Sequence, residues 1–173
     1  AFDAAARGLA EAFLLDTIVI DRTPVTAPEA ARFTDMTAWS RGIPAITTET
    51  GQLGSNDPRW VALALRGLEN VLRHLHMLPG EARRNDHIVW LEDFEVVTSP
   101  ATGIFEARVS DGYFVAEGGV LGELLDLFGD PITTVRAPFA GVVNYVIGTP
   151  PVSEGEPVAM ISRLRDFPAA ERP

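Results

Sequence analysis

The chain has 173 residues, and its 14 basic and 24 acidic residues give a formal net charge of −10. This excess of acid argues against nucleic acid or an anionic membrane as the main partner, because both bind through basic surfaces. The sequence has neither cysteine nor lysine, which excludes disulfides, thiolate and Schiff-base chemistry, and carriage of biotin or lipoate on a lysine.

The chain starts with apolar residues at helical spacing, as if a helix were already under way at Ala1. No basic and apolar regions of a signal peptide come first, and no apolar run reaches the roughly 18 residues of a membrane span. We therefore expect a cytoplasmic protein whose sequence here begins inside a larger domain.

The first half alternates predicted helices and strands, which is typical of an α/β domain. In chain order they are a helix over residues 2–15, a strand over 17–20, a helix over 29–40, a strand over 43–48 and a helix over 58–78. The last helix is the clearest, because six apolar residues recur along one side: Val61, Leu65, Leu68, Leu72, Leu75 and Leu78. Polar residues, Asn70 among them, lie opposite.

Residues 87–165 lack a helical period and contain short apolar runs, many glycines and frequent prolines, as in an all-β unit. A repeat is visible within them. The segments 100–103 (PATG) and 115–118 (VAEG) are echoed by 138–141 (PFAG) and 152–155 (VSEG). Two copies of one unit predict a pseudo-twofold β-sandwich. We therefore divide the chain into residues 1–86 and a β-sandwich domain over residues 87–173.

The β half resembles the biotinyl/lipoyl family, on the phrases 136–143 (RAPFAGVV) and 152–158 (VSEGEPV). Carrier members place their modified lysine on the connection between the two repeats. Here that connection is 126–134 (DLFGDPITT), which has no lysine. The resemblance implies the barrel-sandwich hybrid-like fold without the carrier function.

The α/β half resembles the succinylglutamate desuccinylase/aspartoacylase family, zinc-dependent amidohydrolases related to zinc carboxypeptidases. The likeness rests on residues 42–51 (GIPAITTETG) and on the following helix, 67–75 (GLENVLRHL). Some bacterial members, similar to N-acetyl-diaminobutyrate deacetylases, carry a lysine-free β domain at their C-terminus. The resemblance implies the C-terminal part of a zinc-carboxypeptidase-like α/β domain, followed by the β-sandwich domain.

The family's zinc ligands, a His-x-x-Glu pair and a later histidine, precede the matched region, and no His-x-x-Glu occurs here. The resemblance thus implies zinc bound by residues outside this chain, and a small N-acyl amino acid as substrate. The fragment alone is expected to be inactive. His74 and His76 are about 200° apart around a helix and cannot chelate one ion together. With His87, they are interpreted as structural.

Glu49 is the main catalytic candidate. A carboxylate that follows a buried strand and enters a glycine-containing loop lies where open α/β sheets build their active sites. The resemblance implies that it is the general base and proton shuttle. Arg32 and Arg41, near the two ends of the preceding helix, are candidates to bind a substrate carboxylate, because arginine does so bidentately. The family's arginine about ten positions before the glutamate is replaced by Trp39.

Two interpretations stay open. In the first, the chain is the C-terminal portion of a deacylase. In the second, it is a non-catalytic module used for binding or assembly, because every metal ligand expected of the enzyme is missing. A domain cut through its sheet exposes an apolar face and an unpaired strand edge. We therefore expect either a homo-oligomer or a partner segment that covers that face.

Overall fold

A helical first half precedes a β-rich second half in the computed structural model, which describes residues 2–23 and 27–165. The helices are α1 (Phe2–Ala12), a 3-10 turn (Pro28–Ala30), α2 (Thr34–Ser40) and α3 (Pro58–His74). The strands are β1 (Thr17–Ile20), β2 (Val89–Thr98), β3 (Gly103–Ala107), β4 (Phe114–Val115), β5 (Val120–Leu125), β6 (Pro131–Arg136), β7 (Gly141–Val146), β8 (Pro151–Val152) and β9 (Pro157–Leu164). No helix in these ranges is long and apolar enough to cross a membrane.

The chain divides into two units. Unit 1 comprises residues 1–18 and 22–89, and unit 2 comprises residues 19–21 and 90–173. The last part of the predicted β domain, residues 166–173, lies outside the described residues. A mixed fold of a few helices and β-sheets agrees with the α/β plus all-β class expected from the sequence.

Two predicted helices of unit 1 are wrong in extent. The first ends at Ala12 rather than at residue 15, and Leu14 has a positive φ of 65°. The predicted helix over 29–40 is broken into the 3-10 turn and α2 by extended backbone at Ala31 and Phe33. A new helix starts at Thr34 because Asp35 places a negative charge in its first turn, which favours an N-terminus.

The predicted strand over residues 43–48 is also wrong, since the segment forms no strand. Pro44 removes one ladder donor. A strand also needs a neighbour, and no strand of the described residues pairs with this segment. The segment is held against α2 instead: the Trp39 indole N–H donates to the Ala45 carbonyl at 3.0 Å, and the Thr47 hydroxyl donates to the Asp35 carboxylate.

Helix α3 begins where the sequence predicts, with Asp57 as its N-cap, but its apolar side does not form a core. Gly67 and Asn70 are its buried residues. Gly67 lets α1 approach closely, because a Cβ there would lie 2.5 Å from the Phe13 carbonyl oxygen. The Asn70 amide donates to the Ala12 carbonyl at 2.7 Å, and its oxygen accepts from the Arg83 N–H at 2.8 Å.

The predicted core side of α3 is exposed: Val61 is 47% exposed, Leu65 55%, Leu68 51% and Leu75 48%. Leu75 and Leu78 also fall beyond the helix end at His74. The helix therefore has one buried face and one exposed apolar face. A glycine and an asparagine pack on α1, and the leucines opposite have no cover within the described part of unit 1.

Unit 2 contains two sheets, one ordered β1-β2-β9-β7-β4 and the other β6-β5-β3-β8. The repeat in the sequence is visible in their pairing. Strands β3, β4 and β5 form one copy, and β7, β8 and β9 form the other. Within each copy the long strands pair, as β3 with β5 and β7 with β9. Each short strand pairs with the first long strand of the opposite copy, as β4 with β7 and β8 with β3.

The glycines of the repeat occupy matching positions. A Cβ on Gly103 would lie 2.3 Å from the Leu125 carbonyl oxygen, and one on Gly141 would lie 2.4 Å from that of Ser162. Both sheets contribute to one core, whose buried members are Phe105, Val115, Leu121, Leu124, Val135, Ala137, Phe139, Val143, Val152, Val158, Ala159 and Ile161. Unit 2 therefore buries a complete hydrophobic core of its own.

Candidate functional site

Glu49 lies in the irregular segment between α2 and α3, and it is exposed to solvent. The residues before it are held by α2 through Trp39 and Asp35, which bind Ala45 and Thr47. These bonds fix the path of the backbone up to two residues before the candidate carboxylate. Glu49 therefore follows an anchored segment, even though that segment is not a strand.

The residues after Glu49 are positioned by the first turn of α3. Gly51 has a φ of 83°, and a Cβ there would come within 3.2 Å of the Trp60 ring. A positive φ and this close approach both favour glycine at position 51. The Glu49 carboxylate thus lies in a short loop fixed by α2 on one side and by Trp60 on the other.

The start of α3 is stabilised by a local ion pair. The Asp57 carboxylate accepts from the Arg59 backbone N–H at 2.8 Å and lies 2.6 Å from the Arg59 guanidinium. The hydrogen bond from the Arg59 side chain, followed by that from the Arg59 N–H, lowers the pKa of the Asp57 carboxyl below its ordinary value. Asp57 therefore caps the helix in its charged form.

Arg32 and Arg41 lie at opposite ends of α2, and both are exposed. Arg32 precedes the helix by two residues, while Arg41 is its C-cap. No ion pair of either guanidinium is found within the described ranges, so both charges are available to an anionic ligand. Their assignment to substrate binding stays a prediction.

The histidines are dispersed through unit 1. His74 packs against α1, since a Cβ on Gly8 would lie 3.0 Å from its Nε2 atom. His76 lies beyond the end of α3 with a φ of 58°, and the His87 backbone N–H donates to the Asn85 side chain at 3.0 Å. Among the residues described, no three His, Asp or Glu side chains cluster closely enough to hold a metal ion.

Two shallow grooves of the described residues lie in unit 2 and contain neither Glu49 nor the two arginines. One is lined by residues of β3, β8 and the turn after β5, among them Ile104, Leu127 and Val152. The other is lined by β3 and the loop after β7. Neither groove gathers titratable groups around a buried point, so neither is a better candidate for catalysis.

Sequence reasoning missed the residues that position the Glu49 loop. No motif or spacing in the sequence marks Trp39, Asp35 or Trp60 for this role. Two of them act by hydrogen bonds to neighbouring segments, and such bonds leave no periodic pattern in a sequence. The one available signal for Trp60 was its place in the first turn of α3, nine residues after Gly51.

No protein-family model matches the chain. Over 125 residues it is 28% identical to the N-alpha-acetyl-L-2,4-diaminobutyric acid deacetylase of Halomonas elongata, a match that covers 69% of this chain and 36% of the deacetylase. The chain therefore spans about a third of the length of that curated relative.

Solved structures match the fold over nearly the whole chain. The apo structure of the ectoine utilization protein EutE (DoeB) from Ruegeria pomeroyi has a TM-score of 0.82 and 30% identity, and the match covers 94% of this chain and 52% of that protein. A succinylglutamate desuccinylase/aspartoacylase from Rhodobacter sphaeroides has the same fold, with a TM-score of 0.79, 23% identity and coverage of 95% and 51%. The chain spans about half the length of both proteins.

Proposed function

We propose that this chain, which resembles the C-terminal half of proteins of the succinylglutamate desuccinylase/aspartoacylase family, is part of a deacylase that hydrolyses the amide bond of a small N-acyl amino acid. The main support is the match to EutE (DoeB) over 94% of this chain, at 30% identity. The similar Halomonas elongata enzyme is a deacetylase of an acylated diamino acid. A substrate of that class is therefore the first to test.

Glu49 is assigned the proton transfers. An amide is hydrolysed when water adds to its carbonyl carbon and the amine then leaves with a proton. A carboxylate beside the carbonyl accepts the proton from the attacking water and delivers it to the leaving nitrogen. The exposure of Glu49 and the anchored backbone around it fit a group that must reach a bound substrate.

Arg32 and Arg41 are proposed to hold the carboxylate of the substrate. The chain has a net charge of −10, which repels an anionic ligand at long range. A nearby guanidinium overcomes this locally, because it forms two parallel hydrogen bonds with a carboxylate. Replacing either arginine by glutamine would raise KM more than it lowers kcat, which is the signature of lost ground-state binding.

Zinc is proposed as the metal of the complete protein, bound by residues outside this chain. The described residues do not fit the ion, since they contain no cluster of three potential ligands. Zinc would supply an activated water and a Lewis acid. The roles assigned to this chain are therefore proton transfer by Glu49 and substrate binding by the arginines.

The exposed side of α3 supports the proposal that unit 1 is half of a domain. Leu65 and Leu68, on one face of the helix, are 55% and 51% exposed. A contiguous exposed apolar face of this kind is typical of a surface that packs against another segment. The segment over residues 43–48 has strand-forming residues, and none of the described strands lies beside it. A sheet supplied by the remaining half of the domain would pair with this segment and cover α3.

Unit 2 is proposed to be a biotinyl/lipoyl-like β-sandwich that has no carrier role. The exchange of the short strands β4 and β8 between the two repeats supports this fold. A second candidate function follows from the same unit: its core is complete without unit 1, as expected of a module that serves assembly. The two candidates differ in whether Glu49 is needed for turnover.

The test is Glu49→Gln in the complete protein, with hydrolysis of N-acetyl amino acids measured by release of the free amine. We expect turnover to fall by about 100-fold or more, because the amide cannot accept the water proton. Glu81→Gln, an exposed change elsewhere in unit 1, is the matched control and should leave turnover unchanged. Equal activity of the two variants, with both folded, would remove Glu49 from the mechanism and favour the assembly module.

A further inference from the structure

The segment that leads to Glu49 turns back at the C-terminal end of helix α2. There the Gly42 N–H donates to the Trp39 carbonyl, and the Ile43 N–H donates to the Ala38 carbonyl, both at 2.9 Å. Gly42 has a φ of 71°, a left-handed conformation that ends helices and favours glycine. The backbone that follows α2 is therefore bound to the last turn of the helix that it leaves.

Two side chains of α2 hold the returning segment. The Trp39 indole N–H donates to the Ala45 carbonyl at 3.0 Å, and the Thr47 hydroxyl donates to the Asp35 carboxylate. Asp35 lies about one helical turn before Trp39, so the segment runs back towards the start of α2. The bond at Thr47, two residues before Glu49, is the last hydrogen bond found among the described residues ahead of the candidate base.

The Asp35 carboxylate is itself held by α2. One of its oxygens accepts from the Met36 backbone N–H at 2.7 Å, and the other accepts from the Thr47 hydroxyl. Asp35 also lies in the first turn of α2, where the helix dipole favours a negative charge. A hydrogen bond to a charged acceptor is stronger than one between neutral groups. Thr47 is therefore bound to a charged acceptor whose orientation is fixed by the helix.

The bond between Asp35 and Thr47 joins two side chains and uses no backbone group of residues 43–48. The Trp39 bond differs, because it engages the Ala45 carbonyl, a backbone group for which a neighbouring strand would compete. The bond at Thr47 is therefore compatible with a strand laid beside this segment by the remaining half of the domain. It is the attachment expected to act on Glu49 in the complete protein.

We propose that Asp35 and Thr47 are positioning residues for the Glu49 carboxylate, an inference that rests on the proton transfers assigned to Glu49 under the proposed function. A general base must lie within hydrogen-bond reach of the proton that it accepts, and small displacements of a reacting group lower the rate steeply. Attachment of Thr47 to α2 restricts the positions that the Glu49 side chain can reach. Loss of this attachment lowers kcat and leaves KM unchanged, because the base acts in the transition state and not in substrate binding.

The test is Thr47→Val in the complete protein, because valine keeps the shape of the side chain but cannot donate a hydrogen bond. With N-acetyl amino acids as substrates, we expect kcat to fall about tenfold at unchanged KM. Thr47→Ser keeps the hydroxyl and should restore most of kcat. Thr48→Val is the matched control, since Thr48 is the neighbouring exposed threonine and has no hydrogen bond within the described ranges; its kcat should stay within about twofold of the parent. Equal losses from the two valine variants, or an unchanged kcat in Thr47→Val, would overturn the proposal.

Two double variants identify the groups through which Thr47 acts. Asp35→Ala/Thr47→Val should be no slower than the slower of its single variants, because both changes remove the same hydrogen bond; losses that multiply would contradict the pairing. In a Glu49→Gln background, Thr47→Val should leave the residual turnover unchanged. The same loss in both backgrounds would show that Thr47 does not act through Glu49, and would overturn this inference while the proposed function stands. Full activity of Glu49→Gln alone would instead overturn the proposed role of Glu49.

Discussion

The two units of this chain bury their apolar residues in different ways. Unit 2 has twelve buried residues in one core cluster, drawn from both of its sheets. In the described part of unit 1 the buried large apolar residue is Phe13, beside Ala12, while most of the apolar side of α3 is exposed. This difference shows that a regular helix with an apolar face does not by itself form a hydrophobic core. The core also needs a covering layer, and the described part of unit 1 has none over that stripe.

The largest expected effect is in unit 2. Leu124→Ala removes a fully buried side chain and should lower the free energy of unfolding of unit 2 by about 3 kcal/mol, through lost transfer energy and the cavity that is left. Hydrogen exchange of unit 2 amides against denaturant would measure this loss. An effect below about 1 kcal/mol would mean that the core is looser than the structure indicates.

A smaller loss is expected where α1 packs on α3 in unit 1. Asn70→Ala leaves the buried Ala12 carbonyl without its hydrogen bond, which should cost about 2 kcal/mol. Glu69→Ala, at the neighbouring and exposed position, is the control and should change stability little. The readout is protection of α1 and α3 amides from exchange. Equal effects of the two variants would show that α1 and α3 are not joined through Asn70.

The most informative contrast with Leu124 is Leu68, which is 51% exposed. In this chain alone Leu68→Ala should change stability by less than about 0.5 kcal/mol, as a surface substitution does. In the complete protein the same change should cost about 3 kcal/mol, because the side chain would then be buried under the remaining half of the domain. A cost that stays small in the complete protein would mean that nothing covers α3.

The smallest effect is the dependence of α3 on pH. Because Arg59 lowers the pKa of the Asp57 carboxyl below its ordinary value of 3.8, the charged carboxylate stabilises the folded state. That contribution is present above the ordinary pKa and is lost as the pH falls through the lowered one. Asp57→Asn should remove this dependence while keeping a capping oxygen. Exchange of the first-turn amides of α3 in acid, at low and high salt, would measure it.

The comparison also explains which features the sequence could predict. The repeat of unit 2 could be predicted, because its turns are marked by local glycine and proline residues. The strand expected over residues 43–48 failed because a strand depends on a neighbour, and the described chain supplies none. The helix over 29–40 failed because Thr34 and Asp35 start a new helix within it.

The buried face of α3 could not be predicted from the sequence, for a different reason. The face that meets α1 contains Gly67 and Asn70. Neither residue is hydrophobic enough to be assigned to a buried face from the pattern of apolar residues. At the candidate site, the loop position of Glu49 was predicted from the glycines that follow it. The contacts that fix the loop, from Trp39 and Trp60, depend on tertiary packing and could not be predicted.

The central claim is that this chain contributes Glu49 and a substrate surface to a larger deacylase. The most direct measurement is to purify the protein that carries this sequence from its own cells, and to determine intact mass, zinc content and N-acetyl amino acid hydrolysis in the same fractions. We expect a species heavier than 18.7 kDa, or a second chain bound to this one, with zinc and hydrolysis eluting together. An isolated 18.7 kDa chain that hydrolyses the substrate, or a heavier zinc-loaded species that hydrolyses none of the N-acyl amino acids, would contradict the claim.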